Sequence, residues 1–143
     1  MSKIIVSACL LGENCKYNGG NNYDPRVAAL CEGREVIPVC PEVLAGLGIP
    51  RIPIERKDGV VIRKDGVVVD AAIRQAVAHI LEQIKEEEIA CAVLKARSPT
   101  CGVHQIYDGT FSGKLTDGAG VLAQALQDAG YTVMDNEDLE ETK

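Results

Sequence analysis

Three of the six cysteines of this chain follow apolar runs that have the length of buried strands. They are Cys9 after residues 4–8, Cys40 after residues 36–39, and Cys101 on a loop after residues 89–94. The carboxyl ends of parallel strands meet at one edge of a sheet, and ligands of α/β proteins bind there. The sequence therefore predicts that these three thiols converge on one site.

The loop that carries Cys101 reads Ser98-Pro99-Thr100-Cys101-Gly102. The residue before a proline is excluded from the helical region, and glycine accepts backbone angles that other residues avoid. We therefore expect a sharp bend that presents the Cys101 thiol at the end of its strand.

Three thiolates without a neighbouring histidine are typical ligands of a soft metal centre, either zinc or an iron–sulfur cluster. Three ligands leave one coordination position open for a substrate. Two alternatives remain at this point. Cys15 completes the ligand set in a non-enzymatic zinc or iron–sulfur protein, or all six cysteines are buried and reduced. Cys31 in a predicted helix and Cys91 inside a predicted strand are expected to serve packing only.

Glu42 is the first carboxylate after the strand that ends at Cys40, in the segment Cys40-Pro41-Glu42. In that position it faces whatever Cys40 faces, so it is a candidate for proton transfer. The alternative is that it opens a short helix, where an acidic residue in the first turn is favoured. The two interpretations are compatible.

Composition limits the class of protein. Apolar residues make up 46% of the 143 residues but aromatic ones only 3%, so the core must be built from Val, Ile, Leu and Ala. The net charge of −6 argues against general binding to a nucleic-acid backbone. No apolar run is long enough to span a bilayer, and the N-terminus has no features of a targeting signal. We expect one cytoplasmic domain over residues 1–143.

Apolar strands alternate with amphipathic helical segments along the chain. This order predicts an α/β fold: a three-layer, doubly wound, mostly parallel sheet of the Rossmann-like or flavodoxin-like kind. Asp24-Pro25 predicts a capped helix through Cys31. Further helices are expected to be capped by Asp70 and Asp117.

Two other segments have their own predictions. The sequence Arg-Lys-Asp-Gly-Val-Val occurs at residues 56–61 and again at 63–68. Valines on both sides of the second copy predict a small inserted hairpin that turns at Asp65-Gly66. The acidic residues 135–143 are expected to form a frayed tail.

Three separated motifs resemble the signatures of the thiouracil desulfidase family, whose members were long described as a domain of unknown function. They are Val6-Ser7-Ala8-Cys9-Leu10-Leu11-Gly12 with Lys16-Tyr17-Asn18-Gly19, Pro38-Val39-Cys40-Pro41-Glu42, and Lys95-Ala96-Arg97-Ser98-Pro99-Thr100-Cys101-Gly102. The resemblance extends from about residue 3 to about residue 134.

The resemblance implies a [4Fe-4S] cluster held by Cys9, Cys40 and Cys101, with its fourth iron free to take the sulfur of a thiolated pyrimidine. It further implies that Glu42 and Ser98 act as acid–base residues in a hydrolytic, non-redox desulfuration. The products are uracil or uridine and sulfide, and the partner is a small thiolated base or nucleoside.

The same resemblance suggests roles for two basic residues of the third motif. Lys95 and Arg97 would offset the negative charge of the cluster or hold the substrate.

Overall fold

The computed structural model describes residues 2–139, which form eight strands and four α-helices. In chain order these are β1 Lys3–Ser7, α1 Pro25–Cys31, β2 Glu35–Val39, α2 Pro41–Leu44, β3 Ile54–Lys57, β4 Val60–Arg63, α3 Asp70–Ile84, β5 Ile89–Leu94, β6 Gln105–Tyr107, β7 Leu115–Asp117, α4 Val121–Asp128 and β8 Val133–Asp135.

The central sheet has the strand order β2-β1-β5-β8, and all its pairs are parallel. Side chains alternate across β1, as in any strand. Ile4 and Val6 pack with Val27 of α1 on one face, whereas Ile5 packs with residues of α3 and α4 on the other. Both faces are therefore covered, and the predicted three-layer, doubly wound α/β architecture is confirmed.

The N-terminus of α1 is as predicted. The carboxylate of Asp24 accepts a hydrogen bond from the backbone N–H of Arg26, and Pro25 is the first helical residue. Val27 in the first turn of α1 then packs against Ile4 and Val6 of β1.

The predicted caps of the other two helices are wrong. Asp70 is the first residue of α3 rather than its cap, and its carboxylate accepts the backbone N–H of Val61, which ties the helix to β4. Asp117 lies in β7, and α4 begins after Gly120. A side chain at Gly120 would overlap the backbone of Thr100, on the loop that carries Cys101. Close packing against this loop therefore requires glycine at the residue before α4.

The inserted hairpin is present, but its turn is at the first repeat copy. Strands β3 and β4 pair across Asp58-Gly59, where both residues have positive φ (51° and 82°), as a type I′ turn requires. The second copy makes a wider turn, with a single bridge between Ile62 and Val68. A second hairpin, β6–β7, lies in a segment that has no periodic pattern in the sequence.

The predicted tail is ordered where it is described. Asp135 ends β8, the next three residues form a 3-10 turn, and Asn136 is buried. The Asn136 side chain accepts the N–H of Ala96 and donates to Asp24, so this segment closes the core rather than fraying. Residues 140–143 lie outside the described part of the chain. Within residues 2–139, no helix has both the length and the apolar character needed to cross a membrane.

Candidate active site

A cavity of about 550 Å³ opens at the carboxyl ends of β1, β2 and β5. The chain leaves β1 toward β2 and later returns to β5 on the other side, so the cavity lies at the point where the strand order reverses. All seven residues that the sequence singled out line it: Cys9, Cys40, Glu42, Lys95, Arg97, Ser98 and Cys101.

The three cysteines come together from different elements. Cys9 lies in the 3-10 turn after β1, Cys40 is the residue before α2, and Cys101 lies on the loop after β5. The thiols are close enough to influence one another electrostatically, Cys101 with both Cys9 and Cys40. Convergence at one sheet edge is therefore the observed arrangement.

The sulfurs of Cys9, Cys40 and Cys101 do not all lie within 4.8 Å of one another. Among the described residues, no three ligand atoms of the cavity lie within 4.8 Å of one another. Zinc at ~2.3 Å from each of its tetrahedral ligands requires sulfurs separated by about 3.8 Å. In an iron–sulfur cluster each thiolate binds a different iron, so the sulfurs stand further apart.

The cavity disfavours free thiolates. Burial raises the pKa of Cys101 to about 12 and also raises the pKa of Cys9 and of Cys40. The nearby negative charge of Glu42 raises the pKa of all three thiols further. A bound metal cation reverses this balance, because metal binding stabilises the deprotonated form of its ligands. The donor set therefore fits a cationic cofactor.

Glu42 is buried at the start of α2, and Thr100 holds its carboxylate. The Thr100 hydroxyl donates to Oε1 of Glu42 at 2.9 Å. The other oxygen, Oε2, lies 3.8 Å from the sulfur of Cys40. One oxygen is thus fixed by a hydrogen bond while the other faces a predicted cofactor ligand.

Ser98 shapes the bend of the cysteine loop. Its Oγ accepts the backbone N–H groups of Thr100 at 3.2 Å and Cys101 at 3.1 Å, and lies 3.1 Å from the Thr100 hydroxyl. Because the Thr100 proton goes to Glu42, the Ser98 hydroxyl is left to donate to Thr100. A chain of hydrogen bonds therefore runs from Ser98 through Thr100 to Glu42.

The two basic residues of the third motif differ in their partners. Lys95 is partly buried and its ammonium donates to the Ala96 carbonyl at 2.9 Å, and desolvation lowers its pKa. Arg97 has a left-handed backbone (φ 66°) and forms an ion pair with Glu137 at 2.7 Å. Both side chains line the cavity, but Arg97 is also bound to Glu137 in the segment after β8.

The remaining cysteines separate into two kinds. Cys15 is buried and lines the cavity, and its carbonyl oxygen lies 4.0 Å from the sulfur of Cys40. Cys31 and Cys91 pack at the edge of the apolar cluster under α1, away from the cavity.

Sequence reasoning missed several residues that complete the site. Thr100 lies inside the third motif, residues 95–102, but nothing in the sequence indicates that it bonds to Glu42. Asn22, whose side-chain amide donates to the Cys9 sulfur at 3.4 Å, ends a Gly- and Asn-rich loop that could have indicated it. Glu55 and Phe111 lie in segments without a motif, and both line the cavity.

Fold and site together define an α/β protein with a thiol-lined cofactor cavity at the reversal point of a parallel sheet. The sequence profile of the 2-thiouracil desulfurase family matches residues 4–138, and the chain belongs to this family. The resemblance read from the three motifs is thereby confirmed.

Two similar proteins agree with this assignment. The chain is 35% identical to the uncharacterized protein YbbK of Bacillus subtilis (strain 168), over 95% of this chain and 97% of that protein. It is also similar to the solved structure of a [4Fe-4S]-dependent thiouracil desulfidase, TudS. That match has a TM-score of 0.89 and 37% identity, and it covers 97% of this chain and 93% of the other.

Proposed function

We propose that this chain is a [4Fe-4S]-dependent desulfidase that hydrolyses thiouracil, or a related thiolated pyrimidine, to the oxygen-containing pyrimidine and sulfide. Family membership and the likeness to TudS support the reaction class. The single observation that carries the proposal is the convergence of three buried thiols and one buried carboxylate on the same cavity.

Cys9, Cys40 and Cys101 are the proposed ligands. Bound there, the cluster supplies an iron that acts as a Lewis acid toward the thiocarbonyl sulfur. Asn22 stabilises the Cys9 thiolate by donating a hydrogen bond to its sulfur.

Glu42 is the proposed general base and acid. Its Oε2, the oxygen that faces the Cys40 side of the cavity, takes a proton from the water that attacks the ring carbon. The same carboxyl then returns a proton to the products, so the reaction consumes water and releases sulfide without net redox change. Thr100 keeps Oε1 out of this exchange by holding it in a hydrogen bond.

Ser98 assists by two routes. Its oxygen accepts two backbone N–H groups and so holds the bend that orients Cys101. Its hydroxyl donates to Thr100, which in turn donates to Glu42. Lys95 and Arg97 are the proposed groups that offset negative charge at the cluster or contact the substrate.

The partner is a small molecule, since a cavity of about 550 Å³ falls within the usual range for such sites. A free base or a nucleoside is the proposed substrate. The net charge of −6 argues against bulk nucleic-acid binding. We place the enzyme in the cytoplasm as a single domain, because six unpaired cysteines suit a reducing compartment.

Anaerobic purification followed by iron and sulfide analysis, with an assay on thiouracils and thiouridines, tests the proposal. We expect brown protein that contains both elements and releases sulfide. Glu42→Gln should keep the brown colour and lose roughly 10² to 10⁴ in rate, because it removes the titratable proton but keeps the shape. Colourless protein that holds stoichiometric zinc after expression with iron supplied would instead support a zinc-binding protein with Cys15 as a ligand.

A further inference from the structure

The few aromatic side chains of this chain are concentrated at the cavity. The sequence has one Phe, four Tyr and no Trp. Three of these five rings, Tyr17, Tyr107 and Phe111, line the cavity. Phe111 has no polar group, so an unsaturated apolar ring is all that it offers to a ligand. Aromatic faces of this kind bind nucleobases by stacking.

Glu55 holds the backbone at Phe111 and two residues before it. Its Oε1 accepts the N–H of Gly109 at 3.0 Å and the N–H of Phe111 at 3.1 Å. Glu55 lies on β3, which belongs to a different hairpin from the loop that carries Phe111. A carboxylate therefore joins two hairpins at the wall of the cavity.

The loop that carries Phe111 also packs closely on β3 at Gly109. A side chain there would overlap the Cβ of Lys57, so the loop backbone packs directly against β3. Phe111 itself has φ 56°, a left-handed conformation that is rare for a bulky residue. Such conformations persist where the surroundings hold them, and they cluster at ligand sites. In this conformation the N–H of Phe111 donates to Glu55.

We propose that Phe111 is the surface on which the pyrimidine ring of the substrate stacks, and that Glu55 is the positioning residue that holds it there. This inference rests on the proposed function, because it takes the substrate to be a pyrimidine. Phe111 is a specificity-determining residue for the ring, and Glu55 acts only through the loop.

The first test measures KM and kcat for 2-thiouracil, and the Kd of uracil by calorimetry, in the cluster-loaded enzyme. Loss of one aromatic stacking partner weakens base binding by about 5- to 150-fold. We expect Phe111→Ala to raise KM and Kd within that range, with a smaller effect on kcat and unchanged iron content. Phe111→Tyr should restore wild-type affinity. Phe111→Leu, which keeps apolar bulk but has no ring, should not.

The second test concerns Glu55. Glu55→Ala removes the acceptor of both backbone N–H groups, so we expect it to raise KM and Kd as Phe111→Ala does. Glu55→Gln keeps one acceptor oxygen and should restore most of the affinity. This split between KM and kcat, with rescue by glutamine, is not expected of a residue that merely stabilises the fold.

A fluorescent reporter adds a readout that does not depend on turnover. Because the chain has no Trp, Phe111→Trp places a single indole at the wall of the cavity. Uracil should change its emission in a saturable way. Tyr23→Trp is the matched control, since Tyr23 is 56% exposed and does not line the cavity, and its emission should not change.

The outcomes separate this inference from the function on which it rests. If wild-type enzyme desulfurates 2-thiouracil but Phe111→Ala or Phe111→Leu binds uracil as tightly as wild type, stacking on Phe111 is refuted and the proposed function stands. If loaded wild-type protein neither desulfurates thiouracil nor binds uracil, both are overturned. If Glu55→Ala leaves KM unchanged while Phe111→Ala raises it, the positioning role of Glu55 is refuted.

Discussion

The hydrogen bond from Thr100 to Glu42 can be removed without changing the shape of the site. Thr100 is fully buried and Glu42 is 8% exposed, so solvent does not replace a lost donor. Thr100→Val is nearly isosteric and creates no cavity, and it also removes the acceptor of the Ser98 hydroxyl, which is only partly buried. A hydrogen bond to a charged group contributes about 1.5–3 kcal/mol, and we expect the free energy of unfolding to fall by that amount.

This loss translates into a measurable change in melting temperature. An unfolding entropy of about 2.1 cal/mol/K per residue amounts to roughly 0.3 kcal/mol/K for this chain. The melting temperature of Thr100→Val should therefore fall by about 5–10 °C in thermal scans that compare proteins of equal iron content. We also expect kcat to fall by about 10- to 100-fold, because the carboxylate loses its fixed orientation.

Two variants serve as controls for this prediction. Thr100→Ser keeps the hydroxyl and should recover most of the stability and rate. Thr132→Val changes an exposed threonine next to β8 and should leave both unaffected. The reasoning is refuted if Thr100→Val melts with the wild type and turns over at the wild-type rate, since the bond to Glu42 would then have no energetic role.

Three other predictions concern the thiols, the loop and a surface ion pair. Cys9→Ser, Cys40→Ser and Cys101→Ser should each abolish iron binding. Cys31→Ala and Cys91→Ala should cost only about 1–3 kcal/mol of packing in urea unfolding. Loss of iron in Cys15→Ser but not in Cys9→Ser would contradict the ligand assignment. Ser98→Ala removes the acceptor of two backbone N–H groups, so it should lower both iron content and rate, and Ser98→Thr should retain iron. An iron content in Ser98→Ala equal to that of wild type would argue against the loop role. The hydrogen bond that the His104 ring donates to the Asp138 carboxylate raises the pKa of His104 above 6.5. The ion pair therefore stabilises the fold at low pH, and its contribution is lost as pH rises through that raised value. NMR titration should find a lower His104 pKa in Asp138→Asn, and an unchanged one would exclude the pairing.

The convergence of the cysteines could be predicted because it depends on two strong signals. Continuous apolar runs mark the ends of the buried strands, and the topology of parallel sheets places those ends at one edge. Cys9, Cys40 and Cys101 follow from these signals alone. Glu42 follows from Cys40, because the two are separated by one residue at the start of α2.

What could not be predicted depends on contacts between distant residues. Helix α4 begins after Gly120 rather than after Asp117, and Gly120 packs on the backbone of Thr100. The two Asp-Gly copies are equivalent in local sequence, so only pairing with β3 distinguishes them. Phe111 and its acceptor Glu55 are 56 positions apart, and neither lies in a recognisable pattern.

The buried Asn136 has a consequence for the order in which the protein matures. Its side chain holds the N–H of Ala96, at the start of the loop that carries Cys101, and it also bonds to Asp24. During synthesis, residue 136 is added about 2–7 s after Cys101 at typical rates of elongation. All three cysteines are therefore present on the nascent chain before the segment that secures their loop exists. We therefore expect the loop that carries Cys101 to reach its final position only after residue 136 has been added.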